Sequence, residues 1–319
     1  MYSRIAGTGK YLPERVLTNF DLEKMVDTSD EWIRTRTGIE RRHIASDDQA
    51  TSDLAAEAAR IAIEDAGLAP DDIEMIVVGT TTPDLIFPNV ACIVQERLGI
   101  PAVPAFSVEA ACSGFVYALS VADQFIRGGQ QQRALVIGAE TMSRIIDWTD
   151  RETCVLFGDG AGAVVLEATD EPGIIYSKIS ADGRYRDLLY ASEGVSTRHR
   201  DSEGSLLRMK GNEVFRVAVK TLESIVDEVV EANGLKKGEI DWLIPHQANL
   251  RIISAAAKKL DLPMERVVVT VDEHANTSSA SIPLALDCAV RDGRIKRGEL
   301  LLFEAFGAGF TWGSALVRY

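Results

Sequence analysis

Apolar residues along the chain recur with two spacings, one of which predicts strands and the other helices. Short β-branched or apolar runs, Ile73 to Gly79, Ala134 to Gly138 and Ile240 to Ile244, read as buried strands, as do residues 2–9 and Val164-Val165-Leu166. Helical spacing takes over elsewhere. Leu54, Ala58, Ile61 and Ile63 lie near one face of a helix capped by Thr51-Ser52-Asp53 and stopped at Ala66-Gly67. Further helices are expected over Phe20 to Val26, from Ser29-Asp30 onward, over Val90 to Leu98 and over Asn212 to Ala232. Ser196 to Gly204 is polar and reads as exposed loop.

The stretch from Val108 to Phe115 stands at the centre of this pattern. Pro101 and Pro104 bar a helix before it, so Pro101 to Val108 is expected to be extended. Phe115, Leu119, Ala122 and Ile126 then follow helical spacing, and Arg127-Gly128-Gly129 ends the helix. Cys112 falls at or just before that helix N-terminus, where free N–H groups and the macrodipole favour a thiolate and lower a thiol's pKa. A small core residue is the plainer reading of an isolated cysteine, and only the rest of the chain separates the two.

A repeat changes the picture. Ala66-Gly67-Leu68 before the strand at Ile73 is matched, 167 positions on, by Asn233-Gly234-Leu235 before the strand at Ile240. Asp123, Ile126, Arg127 and Gly129 are matched by Asp287, Val290, Arg291 and Gly293 at an offset of 164. Two halves, residues 1–170 and 171–319, are therefore expected to share one order of elements. Adding 164 to Cys112 gives Asn276, in another small-residue turn entering a helix, while the strand ending at Pro245 leads into His246. Packed about a pseudo-twofold, the halves would bring Cys112, His246 and Asn276 together at strand ends, where open α/β sheets place their sites.

Composition narrows what such a site could serve. With 34 Lys and Arg against 48 Asp and Glu, a net charge of −14 disfavours nucleic acid as a partner. No apolar run is long enough to span a membrane, and the first nine residues are too short and glycine-interrupted for a secretory signal, so the cytoplasm is expected. Cys92, Cys112, Cys154 and Cys288 lie too far apart for a zinc cluster or a disulfide framework. Arg34, Arg36, Arg41 and Arg42 crowd beside Trp32, either as a solvated face or as a site for a phosphate and a stacked base. Phe157-Gly158-Asp159-Gly160-Ala161-Gly162 lacks the Lys-Ser/Thr and the helix of a phosphate loop and reads as a tight turn between strands.

A thiol with a histidine and an asparagine suits two chemistries. In a papain-like protease the histidine is a base for the thiol and the asparagine orients it. In a Claisen condensation the thiol carries an acyl group, and the other two donate hydrogen bonds to one thioester oxygen. Two neutral donors suit the second task.

The motifs then show a resemblance. Asp30-Glu31-Trp32-Ile33-Arg34-Thr35-Arg36-Thr37-Gly38-Ile39, Ala110-Ala111-Cys112-Ser113-Gly114-Phe115, Gly158-Asp159-Gly160-Ala161-Gly162, Pro245-His246-Gln247-Ala248-Asn249, Asn276-Thr277-Ser278 and Phe310-Thr311-Trp312-Gly313 follow one another as in the family of initiating condensing enzymes, the β-ketoacyl-acyl carrier protein synthases III of the thiolase superfamily. The resemblance spans essentially the whole chain. It implies an α/β fold of two pseudo-twofold-related halves with mixed five-stranded sheets in αβαβα layers. It also implies that Cys112 is acylated by acyl-CoA, and that His246 and Asn276 then bind malonyl-acyl carrier protein as it loses carbon dioxide. The backbone N–H groups of Cys112 and Ala308 would form the oxyanion hole. Ala308 stands where the family commonly has glycine, so its φ is expected to be negative.

By the same resemblance Trp32 and Arg151 would sandwich the adenine of CoA and Arg36 would meet its phosphates. Arg216, Arg251, Lys258 and Lys259 would receive the acidic carrier protein. Phe87 would reach across a homodimer to bound the partner's acyl pocket, with Met142, Leu156, Phe157 and Leu189 as further walls. No metal or redox cofactor is implied, and acyl-CoA is a substrate. His274 lacks the strand-end setting of His246 and reads as structural or peripheral. Three alternatives stand beside this reading. They are a condensing enzyme of specialised metabolism with another acceptor, a catalytically silent interaction subunit, and a nicotinamide oxidoreductase; the last is opposed by the absence of Gly-x-Gly-x-x-Gly.

Overall fold

The computed structural model describes residues 1–197 and 206–319, so most of the expected loop from Ser196 to Gly204 lies outside the described residues. The first half runs β1 (Tyr2–Tyr11), β2 (Arg15–Thr18), α1 (Asn19–Leu22), α2 (Asp30–Thr37), β3 (Arg41–Ile44), α3 (Thr51–Asp65), β4 (Ile76–Gly79), α4 (Val90–Leu98), β5 (Ala105–Val108), α5 (Gly114–Arg127), β6 (Arg133–Thr141) and β7 (Asp159–Thr169). The second runs β8 (Ile174–Ala181), β9 (Leu189–Ala191), β10 (Leu207–Met209), α6 (Gly211–Ala232), β11 (Trp242–Pro245), α7 (Leu250–Leu260), α8 (Val271–His274), α9 (Ser281–Arg291), β12 (Leu300–Gly307) and β13 (Thr311–Arg318).

Two sheets repeat one topology. The first is ordered β1-β7-β6-β4-β5, the second β8-β13-β12-β11. In each, the strand that leads into an outer helix pairs in parallel, β4 with β6 and β11 with β12, and the next two pairings are antiparallel. Where five strands were expected in both, the second sheet has four among the described residues. Its fifth position is a single parallel bridge from Leu243 to Val267, because a short turn at Met264–Arg266 and α8 from Val271 leave no room for a ladder.

Helices α5 and α9 lie between the sheets. Phe115, Leu119, Ala122 and Ile126 of α5 and Ile282, Ala285, Leu286 and Ala289 of α9 share one buried cluster with Val77, Val136 and Val164 from one sheet and Ile244, Leu301 and Phe303 from the other. α3 and α4 cover the outer face of the first sheet, and α6 and α7 that of the second. Five layers result, αβαβα, and the short turns leading into α5 and α9 meet in the middle.

Several local expectations change. The glycine run is no turn: Gly160 and Gly162 lie inside β7. A Cβ on Gly162 would sit 2.6 Å from the Leu284 backbone nitrogen, so glycine there lets α9 press onto the strand. The strand expected from Pro101 shrinks to Ala105–Val108, since prolines cannot donate to a ladder. α1 ends at Leu22, not Val26. α3 is capped in reverse, with Asp53 accepting from the Ala50 amide at 2.8 Å.

Candidate active site

The chain leaves β5, makes a single 3₁₀ turn at Ala111–Ser113 and enters α5 at Gly114. Cys112 sits in that turn, 8% exposed. Ala111 before it has φ 46°, a left-handed value that costs an alanine about 1 kcal/mol or more and points the next side chain sharply out of the strand direction. The second half repeats this device. Ser278 opens the 3₁₀ turn Ser278–Ala280 ahead of α9 and has φ 50°. Ala111 and Ser278 are 167 positions apart, so at the helix starts the repeat has the longer offset and Cys112 stands opposite Ser279. Asn276 precedes that turn, a correction to the alignment by 164.

The segment from Asn276 to Ser281 gathers the three predicted side chains. Asn276 Oδ1 accepts from the Ser278 amide at 2.9 Å, which turns the carboxamide NH₂ away from the loop as a donor. Ser278 lines the same cavity wall as Cys112, and its hydroxyl donates to Glu140 Oε1 at 3.0 Å. His246, just past the end of β11, has its Nδ1 2.7 Å from Ser281 Oγ. The Gln247 amide donates to that same oxygen at 3.4 Å, and when the serine proton bonds Nδ1 the imidazole proton stands on Nε2. His246 and Asn276 are both buried, and together they present two neutral donors.

Burial also sets the protonation states. It holds His246 down at about 3, so the ring is neutral at physiological pH. Desolvation pushes the Cys112 thiol up to about 12; the Ser278 side chain opposes the rise and the nearby Glu140 adds to it. This reverses the expectation of a lowered thiol. The helix terminus is present, but the sulfur beside it has been stripped of water, and desolvation is the larger effect.

Beyond Cys112 opens a cavity of about 260 Å³. Met142, Phe157 and Leu189 line it, together with Ile145, Tyr190, Ala191 and Leu207. Leu156 does not line it; its carbonyl accepts from the Asn276 amide at 2.9 Å and so fixes that residue. Phe87 is likewise absent from the wall of its own chain and stands 83% exposed. Ala308 faces the same cavity and is not among the positive-φ residues, so its Cβ brings no left-handed strain. Gly307 before it admits no side chain, because a Cβ would lie 2.7 Å from the Cys112 amide nitrogen.

The arginine cluster divides. Arg36 lies over the Trp32 ring at 4.5 Å and Arg151 at 5.4 Å, so these three converge. Arg34 is bound by Glu40 at 2.9 Å, and Arg41 by Glu273 at 3.3 Å. Arg42 is fully buried and donates to the carbonyls of Leu17 and Val155 and to Asn19 Oδ1, a structural role that spacing alone does not reveal. Arg251 stacks on Phe215 at 4.9 Å near exposed Arg216 and Lys258. Lys259 is taken by Asp227 at 2.6 Å. His274 packs edge-on against His43 with ring centroids 6.4 Å apart.

Glu140 escaped sequence reasoning. It stands at the end of β6, is fully buried and accepts from the hydroxyls of Thr80, Thr81, Thr82, Ser278 and Ser279 and from the Thr81 amide. An acid ending an otherwise apolar strand was the available signal. Among the described residues no group of three or more His, Cys, Asp or Glu is placed to hold a metal ion.

The duplicated αβαβα fold, with a thiol at the head of one central helix, defines a thiolase-like condensing enzyme. The comparisons then narrow the class. Residues 106–183 match the family model of 3-oxoacyl-[acyl-carrier-protein] synthase III, and residues 230–319 match the model of its C-terminal part. The chain is 65% identical to β-ketoacyl-[acyl-carrier-protein] synthase III of Xanthomonas campestris pv. campestris, covering 100% of this chain and 99% of that protein. It is 64% identical to the protein of that name from Thiobacillus denitrificans, with the same coverage. Among solved structures, 3-oxoacyl-[acyl-carrier-protein] synthase III from Aquifex aeolicus superposes with a TM-score of 0.94 at 49% identity, covering 99% of this chain and 100% of that one. The priming β-ketosynthase of the R1128 polyketide pathway superposes with a TM-score of 0.95 at 38% identity, covering 99% of this chain and 96% of that one. The chain belongs to the β-ketoacyl-[acyl-carrier-protein] synthase III family.

Proposed function

We propose that this enzyme starts fatty acid synthesis by condensing an acyl-CoA primer with malonyl-acyl carrier protein through an acyl-Cys112 intermediate. The observation that carries this reading is the Asn276 to Ser281 segment, which carries Asn276, holds His246 through Ser281, and sets Ser278 beside Cys112 in the wall of an apolar cavity. Cys112 Sγ attacks the primer thioester and CoA leaves. The amides of Cys112 and Ala308 hold the oxyanion. Malonyl-carrier protein follows, and its thioester oxygen takes hydrogen bonds from His246 Nε2 and Asn276 Nδ2. Loss of carbon dioxide leaves an enolate that those donors stabilise, and its carbon attacks the acyl-enzyme. Decarboxylation supplies the electron pair, so no strong base and no cofactor are needed at this step.

Trp32, Arg36 and Arg151 are the proposed CoA contacts, the adenine entering between the indole and Arg151. Met142, Phe157 and Leu189 bound the acyl chain. The apolar tip Leu85-Ile86-Phe87 is 52%, 71% and 83% exposed, an arrangement that a second copy of the chain would cover in a homodimer. No helix among the described residues is long and apolar enough to cross a membrane, which agrees with a place in the cytoplasm. The polyketide-priming alternative rests on a neighbour at 38% identity, whereas the curated relatives at 62–65% are all named for the acyl carrier protein enzyme.

Mass spectrometry of the intact protein after exposure to acetyl-, butyryl- and isobutyryl-CoA tests the reading. One acyl group should add per chain on Cys112, and malonyl-carrier protein should discharge it with release of carbon dioxide. Adducts elsewhere, or none, would end the proposal.

Arg251, Arg216 and Lys258 form the proposed landing site for the acidic carrier protein. Arg251→Glu should raise KM for malonyl-carrier protein about tenfold or more at low salt and leave acylation by acyl-CoA unchanged, with the difference shrinking as salt is added. Equal loss in both half-reactions would remove the patch from the scheme.

A further inference from the structure

Acylation requires the Cys112 proton to leave, and the neutral His246 is a weak acceptor for it. Its ring is held down at about 3 and its Nδ1 is already engaged by Ser281. Another path is built into the site. Ser278 stands beside Cys112 in the wall of the cavity, and its hydroxyl donates to Glu140 Oε1 at 3.0 Å. Ser278 is fixed there by its left-handed backbone and by the bond from its amide to Asn276. Glu140 is a carboxyl whose shell comes from both halves of the molecule, Thr80 to Thr82 from one and Ser278 and Ser279 from the other. Four further hydroxyls and an amide can hold the anion in a dry site, while burial raises its affinity for a proton.

Building on the acyl-transfer reading above, we propose that Glu140 is the proton acceptor for acylation, working through the hydroxyl of Ser278, which stands beside Cys112. As the bond from Sγ to the acyl carbon forms, the thiol proton passes to Ser278 Oγ and the Ser278 proton passes to Glu140 Oε1. When the adduct collapses, the bond from the acyl carbon to the CoA sulfur breaks and the leaving thiolate recovers the proton from Glu140 over the same hydroxyl. Charge balances at each stage, and no further reactant is required.

Other titratable groups around the pair are few. Glu109 lines the cavity beside Cys112 and accepts from the Ala111 amide, and His246 lies beyond Ser281. Asp159, on β7 opposite Thr141, is bound by Ser143 and the Ala45 amide. The Glu140 partners named above are hydroxyls and one amide.

The test is iodoacetamide alkylation of Cys112 from about pH 6 to 9, with single-turnover acylation by acetyl- and butyryl-CoA, in wild type, Glu140→Gln, Glu140→Asp and Ser278→Ala. In wild type the proton is shared within the pair, so alkylation should be nearly independent of pH across this range. Glu140→Gln and Ser278→Ala should make it rise about tenfold per pH unit and slow acylation roughly 10²-fold, with Glu140→Asp recovering part of the rate. If Glu140 only ordered the loop or acted as a neighbouring charge, removing the anion would lower the thiol's pKa, and Glu140→Gln would acylate as fast as wild type or faster. That result, or a tenfold-per-unit slope already in wild type, overturns the proposal. Should Glu140→Gln fail to fold, Ser278→Ala decides, since it leaves Glu140 its other donors. A wild-type enzyme that takes no acyl group at all would instead refute the function proposed above.

Discussion

His246→Ala is expected to leave acylation of Cys112 by acyl-CoA within a few-fold of wild type while malonyl decarboxylation falls by roughly 10²–10³, the cost of removing one preorganised donor. The asymmetry follows from what the ring can do. Ser281 sits on Nδ1, and the Nε2 proton is left for a thioester oxygen that arrives only with the second substrate. Because burial keeps the imidazole near 3, the ring stays a neutral donor at all pH values well above that, and decarboxylation should show no loss from imidazole protonation down to about pH 5. Asn276→Ala should produce the same split between half-reactions, since its carboxamide is locked with the NH₂ outward by the Ser278 amide. Carbon dioxide release and acyl-enzyme formation, measured separately, give the answer. His274→Ala is the control, its ring packing on His43. Loss of decarboxylation in that variant, with His246→Ala active, would transfer the role to His274.

Glu304→Gln should stabilise the folded protein by roughly 3 kcal/mol at pH 7 and by almost nothing near pH 4. Glu304 lies on β12, its main-chain carbonyl accepting from the His246 amide, and neither carboxyl oxygen has a protein partner. Desolvation raises its pKa from 4.5 to about 8. Between those two values the folded chain holds a proton that the unfolded chain releases. The stability contributed by Glu304 is therefore complete below about pH 4.5 and declines as pH rises, until the folded group also ionises near 8. Glutamine carries no such proton and escapes the decline. His246 and His274, both held at about 3, act in the opposite sense as pH falls below 6.5, but they are common to both proteins and cancel in the difference. Urea midpoints for the pair across this range measure the effect. A stability difference equal at pH 4 and pH 8 would show that Glu304 is not held neutral.

How far the site could be read in advance depended on where each residue's partners come from. Cys112 was legible because prolines, small residues and a helical apolar stripe bracket it within about twenty positions. His246 followed from its place after a strand, and Asn276 from the repeat, although the offset at the helix start is 167 and not 164. Arg42 was misread as one of a surface cluster because its partners, Leu17, Asn19 and Val155, are remote in sequence. Ile145 and Leu207 were missed as cavity walls for the same reason, neither lying in a periodic stretch.

The order of apolar runs and turn residues, by itself, determined the related sheets of the two halves and the strand-turn-helix that presents the thiol, and it put Cys112, His246 and Asn276 forward as candidates. These depend on local backbone preference and on spacing, both of which a chain carries wherever it folds. Only the tertiary structure decided that the thiol is raised and not lowered, that Ser278 of one half binds Glu140 of the other, and that the glycines of β7 make room for a helix. Each of those is a contact or a loss of solvent between segments more than a hundred residues apart, and desolvation belongs to the packed whole, since no residue can exclude water alone.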